Sequence, residues 1–200
     1  MLDKSIPYKN IIMRADGLSP IFSWNLPEGF SLKTYEPGDE KEWAAIETSV
    51  GEFDSWAEAE AYFVQTYLLH PAEIRRRCFF VLSSGGEYAG TCTAWYLPNG
   101  AGETGVVHWF GVRPEYQGLG LGKALLGETM RFFQGADAYP AYLHTQSWSH
   151  KAIGLYVAAG FCLLKDTTFA ENPNDYYEAM EVLKEKMPSE RLNSWMAFAK

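Results

Sequence analysis

Several features that would assign this chain to a common protein class are missing from its sequence. No run of about 18 apolar residues occurs, so we predict no membrane-spanning helix. Residues 1–5 lack the apolar core of a secretory signal, and we therefore expect a cytoplasmic protein. The cysteines Cys78, Cys92 and Cys162 are scattered through apolar runs, which favours buried free thiols over a disulfide framework or a metal site.

Positive charge is also scarce. The chain has 17 Lys and Arg against 25 Asp and Glu, giving a formal net charge of -8. A nucleic-acid binder needs a basic face, and the one basic cluster, residues 75–77, is short and runs directly into an apolar segment. The composition therefore argues against nucleic acid as a partner. An acidic surface is compatible with cationic substrates such as amines.

The length and the hydrophobic pattern indicate one globular protein with a substantial core. The chain has 200 residues, of which 47% are hydrophobic. Alternation and helical spacing predict the order β-α-α-β-β-β-α-β-α-β followed by one or two helices, which is typical of an α/β fold with a mixed sheet. We divide the chain into an N-terminal extension (1–28), a central domain (29–170) and a C-terminal helical tail (171–200).

Two early helices are predicted from the residues at their starts. Asp39 followed by Glu42, and Ser55 followed by Glu58, have the spacing of a capping box. Residues 30–34 alternate between apolar and polar, which predicts a half-buried strand before the first helix.

Three alternating glycines lie after a predicted strand that ends at Val112 and before a helix predicted over 121–133. They are Gly118, Gly120 and Gly122. Glycine allows a positive φ and lets a ligand approach the backbone closely. Backbone N–H groups and the positive end of the helix dipole favour an anion at such a place. The turn therefore predicts a phosphate or pyrophosphate site, and the alternative is an ordinary glycine-rich connection.

Spacing separates the motifs that could explain this turn. A P-loop, G-x-x-x-x-G-K-[ST], needs glycine at position 117 and Ser or Thr at 124, where the chain has Gln117 and Ala124. A Rossmann fingerprint, G-x-G-x-x-G, needs its third glycine at position 123 or 125, where Lys123 and Leu125 stand. Both motifs are excluded.

The pattern that fits is Q/R-x-x-G-x-G/A, formed by Gln117, Gly120 and Gly122. Together with the preceding V-R-P-E-Y of residues 112–116, it resembles the pyrophosphate loop of the GCN5-related N-acetyltransferase (GNAT) superfamily. The resemblance covers about residues 30–166.

A second motif supports the same resemblance. Residues 149–161, S-H-K-A-I-G-L-Y-V-A-A-G-F, are similar to the superfamily's N-x-x-A-x-x-L-Y-x-x-x-G-F and follow the first motif in the expected order. Ser149 stands where asparagine is common, and we expect the serine still to cap the helix that follows.

The resemblance implies a GNAT-type acyl-CoA N-acyltransferase fold, with a mostly antiparallel twisted sheet and helices on both faces. It implies acetyl-CoA as co-substrate, no metal, and direct attack by a primary amine of a small molecule or peptide in a ternary complex. Nucleic acid and membrane are not expected as partners.

The same resemblance assigns the residues that hold the cofactor. The backbone of residues 117–123 cradles the pyrophosphate, and Lys123 either adds charge or is simply a solvated lysine. The strand end, 110–112, pairs with the pantetheine amides, and the N–H of Val112 or its neighbour polarises the thioester oxygen. The predicted cofactor-binding residues are Phe110, Gly111, Val112, Gln117, Gly118, Leu119, Gly120, Leu121, Gly122, Lys123, Ser149 and Ala152.

Two catalytic residues are predicted. Tyr156 is the superfamily's usual donor of a proton to the departing thiolate, for which a phenol of pKa about 10 is suitable, and the alternative is a core tyrosine. Family members often have a glutamate where Val106 stands. His108 shares its strand parity, and we predict it as the general base, directly or through water. The alternatives are a hydrogen-bonded core histidine at this position, and His144 as the base.

The sequence says least about the site that binds the acceptor substrate. Acidic residues of the two early helices attract an amine or, as we favour, form a solvated face; they are Glu47, Glu52, Asp54, Glu58 and Glu60. Tryptophans line a groove or belong to the core; they are Trp56, Trp95, Trp109 and Trp148. The tail after Pro173 covers that groove or forms a homodimer contact.

Two other functions stay open. A non-catalytic acyl-CoA-binding regulatory module is favoured by Val106 and Ser149, where the family's residues are missing, and is opposed by Tyr156 and His108. An acyltransferase with another acyl group or a hydroxyl acceptor also fits, because the loop recognises pyrophosphate and not the acyl chain.

Overall fold

The computed structural model describes residues 2–100 and 102–200, so Met1 of the predicted extension lies outside the described residues. The strands are β1 (Asn10–Ala15), β2 (Phe30–Thr34), β3 (Cys78–Ser83), β4 (Tyr88–Asn99), β5 (Gly102–Val112), β6 (Ala141–Gln146) and β7 (Cys162–Leu163). The helices are α1 (Glu40–Val50), α2 (Trp56–Thr66), α3 (Pro71–Arg77), α4 (Leu121–Gly135), α5 (His150–Ala159), α6 (Tyr176–Lys184) and α7 (Ser189–Ala197).

The strands form one sheet in the order β2-β3-β4-β5-β6-β1-β7. β1 pairs antiparallel with β6 and β7, and β3 pairs antiparallel with β2. β3 and β4 are also antiparallel, whereas β5 runs parallel to β6, with Gly105 opposite Ala141. This arrangement confirms the predicted α/β class with a mixed, mostly antiparallel sheet.

β1 lies inside the proposed N-terminal extension, where the sequence pattern predicts no strand. Ile11, Ile12 and Met13 are all fully buried in this strand, between β6 and β7. A strand buried on both faces is a continuous apolar run, so the alternation that reveals a half-buried strand is absent. The proposed divisions after residues 28 and 170 stay predictions.

The chain forms two compact units. Unit 1 consists of residues 23–95 and 107–132, and unit 2 of residues 2–22, 96–106 and 133–200. The chain of β4 and of β5 passes from one unit to the other.

In unit 1, one of the two predicted helix caps forms. Ser55 accepts a hydrogen bond from the backbone N–H of Glu58 at 3.2 Å, as the capping box predicts. The predicted cap at Asp39 is wrong: this residue precedes α1 with helical angles, φ -71° and ψ -12°, and makes no side-chain cap. Its carboxylate instead accepts from Lys33 and Tyr88, at 3.0 and 2.6 Å.

β2 also differs from the prediction in its exposed face. The strand forms over the predicted residues, but Leu32 is exposed and Lys33 is half-buried. The Lys33 ammonium group lies 3.0 Å from Asp39 Oδ2, and this ion pair accompanies the half-buried position of the lysine.

In unit 2, α5 ends at Gly160, whose φ of 110° is the left-handed conformation that glycine favours. The predicted cap at Ser149 is wrong, because the side chain makes no cap hydrogen bond. The chain enters α5 through a 3-10 turn, Ser147–Ser149, which leaves Ser149 at φ -92° and ψ 24° rather than in the extended conformation of a capping residue.

The cysteines are free thiols. Cys78 and Cys92 are buried, as predicted, and burial raises the pKa of each thiol to about 12, so neither is ionised at neutral pH. Cys162 is only half-buried, which corrects the prediction for this residue.

Within residues 2–100 and 102–200, no helix has both the length and the apolar character to cross a membrane.

The segment before β2 packs on the middle of α4 through a glycine. A Cβ built on Gly127 would lie 2.2 Å from Cδ2 of Trp24, so the indole lies directly on the helix backbone. Trp24 donates from Nε1 to Glu128 at 3.0 Å, and the Arg131 guanidinium lies 4.8 Å from the indole ring. The glycine thus allows the close approach of Trp24 in unit 1.

Gly127→Ala is therefore expected to destabilise the protein, although alanine in mid-helix is ordinarily better than glycine by up to about 1 kcal/mol. The added methyl group must displace the indole, which we expect to lower the free energy of unfolding by about 1–3 kcal/mol. Urea unfolding followed by tryptophan fluorescence measures this change. Gly135→Ala in the same helix is the control, since nothing lies within 4 Å of its Cβ position. Equal stability of the two variants would contradict this packing argument.

Candidate active site

The glycine-rich turn has the backbone geometry that its sequence predicts. After β5 the chain makes a 3-10 turn, Pro114–Tyr116, and then passes through Gly118 and Gly120, whose φ values are 82° and 87°. These are left-handed conformations that residues with a side chain rarely adopt. Gly122 already lies in the first turn of α4.

The turn leads directly into the first turn of α4. The bond from Ala124 N to Gly120 O, 3.2 Å long, begins the helical ladder, and the N–H groups of Leu121 and Gly122 lie in the first turn, where a helix offers no acceptor of its own. Residues 117–120 are exposed, and Gln117 donates from Nε2 to Val112 O at 2.9 Å, which ties the turn to the end of β5. This geometry fits an anionic group such as a pyrophosphate.

The predicted cofactor-binding residues fall into two groups. Residues 110–112 and 117–123 form one continuous strand–turn–helix segment of unit 1, where the Lys123 side chain is exposed. Ser149 and Ala152 belong to unit 2, where both are half-buried at the start of α5.

The backbone of β5 is irregular just before this segment. Trp109 has a φ of 55°, a left-handed conformation within a strand. Its ring is held by Phe53, Tyr62 and Trp43, whose ring centroids lie 4.7, 5.2 and 6.0 Å away. An irregularity of this kind re-aims the residues that follow, and these are the residues predicted to pair with pantetheine.

His108 lies between two tyrosine hydroxyl groups. Its Nδ1 is 2.8 Å from Tyr67 Oη and its Nε2 is 3.4 Å from Tyr62 Oη. Burial raises the pKa of Tyr67 well above its usual value, so this hydroxyl stays protonated at neutral pH. With one imidazole nitrogen protonated, the other is an acceptor, as a general base requires. Neither tyrosine was among the predicted site residues.

The alternative base, His144, belongs to a polar chain in unit 2. Its Nε2 lies 2.8 Å from Asn10 Oδ1, and Asn10 donates from its backbone N and from Nδ2 to Asp175, at 2.9 and 3.0 Å. Burial lowers the pKa of His144, although the Asp175 carboxylate acts in the opposite direction. This chain of bonds joins β1, β6 and the segment before α6.

The predicted catalytic residues belong to different units, His108 to unit 1 and Tyr156 to unit 2. Tyr156 is 7% exposed on α5, and its ring centroid lies 6.2 Å from that of Phe161. Among the residues that the structure describes, no group of three His, Cys, Asp or Glu side chains could hold a metal ion.

Glu47 on α1 is fully buried, which corrects the predicted solvated face for this residue. A Cβ built on Gly111 would lie 3.1 Å from its Oε1, so the carboxyl group faces β5. Neither oxygen has a hydrogen-bond partner within the described parts of the chain. Burial raises the pKa of Glu47 well above its usual value, and the nearby Glu52 raises it further. Asp54 and Glu58 are exposed, as expected, whereas Glu52 and Glu60 are only half-buried, which corrects the prediction for these two residues.

Because its folded-state pKa is raised, Glu47 stabilises the fold only when it is neutral. Its contribution is complete below the unfolded-state pKa of about 4.3 and is lost as the pH rises through the folded-state value. We expect the Tm difference between Glu47→Gln and wild type to shift by several degrees in favour of the variant when the pH is raised from 4 to 7. A change of 1 kcal/mol corresponds to about 2–4 °C in a domain of this size. Calorimetry at both pH values measures this, with the exposed Glu58→Gln as control. The same Tm difference at both pH values would be evidence against a raised pKa.

Comparison with known proteins agrees with these geometric findings. The model of the acetyltransferase (GNAT) family matches residues 38–161, which is more than half of the chain. Mycothiol acetyltransferase of Streptomyces bingchenggensis is 30% identical over 146 residues, covering 68% of this chain and 44% of that protein. Mycothiol acetyltransferase of Thermobispora bispora is 30% identical over 155 residues, covering 74% and 52%. The chain thus spans about half the length of these relatives.

Solved structures show the same fold. A GCN5-related N-acetyltransferase from Sphaerobacter thermophilus has a TM-score of 0.60 at 26% identity, covering 78% of this chain and 49% of that chain. Glucosamine-6-phosphate N-acetyltransferase from Arabidopsis thaliana has a TM-score of 0.52 at 15% identity, covering 73% and 98%, which is a likeness of fold alone. The predicted resemblance is confirmed, and the chain belongs to the GNAT acetyltransferase family.

Proposed function

We propose that this chain transfers an acetyl group from acetyl-CoA to a primary amine of a small molecule or peptide, by direct attack in a ternary complex. The observation that carries the proposal is the left-handed turn at Gly118 and Gly120, which presents the first turn of α4 to an anion. The relatives named mycothiol acetyltransferases support acetyl transfer and make a mycothiol-related molecule one candidate acceptor. The free thiols favour a reducing, cytoplasmic location.

In this proposal the backbone of residues 117–123 holds the pyrophosphate, and the exposed Lys123 adds positive charge. The re-aimed backbone of residues 110–112 pairs with the pantetheine amides, and the N–H of Val112 polarises the thioester carbonyl. Ser149 and Ala152 contact the pantetheine arm from the start of α5.

The chemistry needs two proton transfers. The acceptor arrives as an ammonium group and gives one proton to His108, after which its nitrogen attacks the thioester carbon. The carbon–sulfur bond then breaks, and Tyr156 protonates the departing thiolate and recovers the second proton of the nitrogen. A phenol of pKa about 10 and a thiol of pKa about 8.5 are close enough for this exchange.

Replacing Tyr156 by phenylalanine removes the proposed acid and keeps the ring. We expect turnover to fall by about tenfold or more, with unchanged folding and unchanged affinity for acetyl-CoA. The measurement is free-thiol release from acetyl-CoA with polyamines, aminoglycosides, amino acids and peptide N-termini as acceptors. A variant that folds and turns over at the wild-type rate would remove Tyr156 from the mechanism.

His108→Ala tests the proposed base. An imidazole of unperturbed pKa about 6.5 gives kcat an acidic limb, since the protonated ring accepts no proton. We expect the variant to lose this limb along with most of its activity. His70→Ala is the matched control, because His70 is an exposed histidine of the same unit. A limb that survives in His108→Ala points to another base.

A second candidate function is an acyl-CoA-binding regulatory module. Val106, 2% exposed, is an apolar residue at the place of the family's glutamate, and Ser149 makes no cap. Acetyl-CoA binding without thiol release on any amine would favour this function. Release with hydroxyl acceptors, or with longer acyl-CoA donors only, would favour an acyltransferase of different specificity.

A further inference from the structure

A cavity of about 490 Å³ lies in unit 2, where α6, α7 and the residues after β7 meet. Small-molecule sites in proteins have volumes of about 300–1,000 Å³, so this cavity has room for a metabolite. None of the predicted cofactor-binding or catalytic residues, all of which the structure describes, lines it. The proposed acetyl transfer therefore leaves the cavity without a role.

The wall of the cavity is aromatic and sulfur-containing. Tyr176 and Met180 of α6 are buried, Met196 of α7 is half-buried, and Tyr177 is exposed. The two tyrosine rings meet edge to face, with centroids 5.1 Å apart. Thioether groups make favourable contacts with aromatic rings, and aromatic rings attract one another in this edge-to-face arrangement. The wall therefore favours a ligand with an apolar group, above all an aromatic one.

Charged side chains also line the cavity, and two of them are unpaired. Within residues 2–100 and 102–200, the ammonium group of Lys165 and the carboxylate of Glu178 form no hydrogen bond and no ion pair. The third charged residue, Glu181, is paired with Lys184 further along α6. The cavity thus presents one free positive and one free negative charge, which a ligand that carries both charges complements.

Backbone hydrogen bonds hold Lys165 beside the cavity. Its N–H donates to Lys200 O at 2.8 Å, and the N–H of Lys200 donates to Leu163 O at 2.9 Å. Asn174, two residues before α6, donates from Nδ2 to Leu164 O at 2.8 Å. The lysine therefore extends from a fixed backbone, and only its side chain must be ordered when a ligand binds.

A ligand with a single charge matches the cavity less well. A simple amine meets the unpaired ammonium group of Lys165, and a simple carboxylate meets the unpaired carboxylate of Glu178, so each faces a like charge. An α-amino acid carries an ammonium group and a carboxylate on one carbon atom, so each of its charges has an opposite charge in the cavity.

We propose that this cavity binds a free α-amino acid with an apolar side chain. The ligand's carboxylate pairs with Lys165, its ammonium group pairs with Glu178, and its side chain packs on Met180 and Met196. The inference does not rest on the proposed acetyl transfer, and it gives the C-terminal part of unit 2 a binding role of its own.

NMR of the protein labelled with ¹³C at its methionine methyl groups tests the proposal, because Met180 and Met196 report directly on the cavity. The probe is L-phenylalanine, and its two analogues are 2-phenylethylamine, which lacks the carboxylate, and 3-phenylpropionate, which lacks the ammonium group. We expect phenylalanine to shift the signals of Met180 and Met196 with an affinity at least about tenfold tighter than either analogue. The signals of Met13 and Met130, which are buried and do not line the cavity, are the internal control.

Two variants identify the charges that bind the ligand. Lys165→Gln is expected to weaken phenylalanine about tenfold and to bind it no better than 2-phenylethylamine. Glu178→Gln is expected to weaken it similarly and to bind it no better than 3-phenylpropionate. The controls are Lys151→Gln and Glu190→Gln, which change exposed charges of unit 2 outside the cavity lining and should bind as wild type does.

Three results would overturn the proposal: no shift at Met180 and Met196, equal affinity of wild type for the three compounds, or an affinity of Lys165→Gln within about twofold of wild type. Changes at the same two signals when the ligand-free protein is diluted would show that a second copy covers the cavity, which also contradicts it. Acetyl-CoA binding and thiol release, measured on the same preparations, test the proposed function separately, since neither Lys165 nor Glu178 has a part in it.

Discussion

The packing of Trp109 is the interaction on which the candidate site depends. Its left-handed backbone, with φ 55°, costs about 1–2 kcal/mol for a residue with a side chain, and the rings of Phe53, Tyr62 and Trp43 hold it in that conformation. β5 continues beyond Trp109 to Gly111, which lies against Glu47, and leads into the glycine-rich turn. The contacts that pack Trp109 into the core are therefore also contacts of the candidate site.

Local features were predictable from the sequence because they depend on short spacings. The turn geometry at Gly118 and Gly120, the cap at Ser55 and the end of α5 at Gly160 each follow from residues a few positions apart. The exclusion of the P-loop and Rossmann motifs rested on the same kind of spacing. The family assignment was correct for this reason, and the comparisons confirm it.

Features that depend on distant contacts were not predictable in this way. β1 is buried on both faces, so it lacks alternation, and Asp39 forms contacts with Lys33 that replace its cap. Glu47 was assigned to a solvated face together with the other acidic residues, although it lies four residues after Trp43 and three before Val50, on the buried side of α1. The approach of Tyr67 to His108 joins residues 41 positions apart, and no local pattern indicates it.

The central claim, that the turn before α4 holds acetyl-CoA, is tested most directly by calorimetric titration of acetyl-CoA into Gly120→Ala and Gly38→Ala. Both glycines have a left-handed φ, 87° and 106°, so both alanines strain the backbone by a similar amount, but only Gly120 lies in the turn. We predict an affinity at least about tenfold weaker for Gly120→Ala and unchanged for Gly38→Ala. Wild-type affinity in Gly120→Ala, or an equal loss in both variants, would contradict the account.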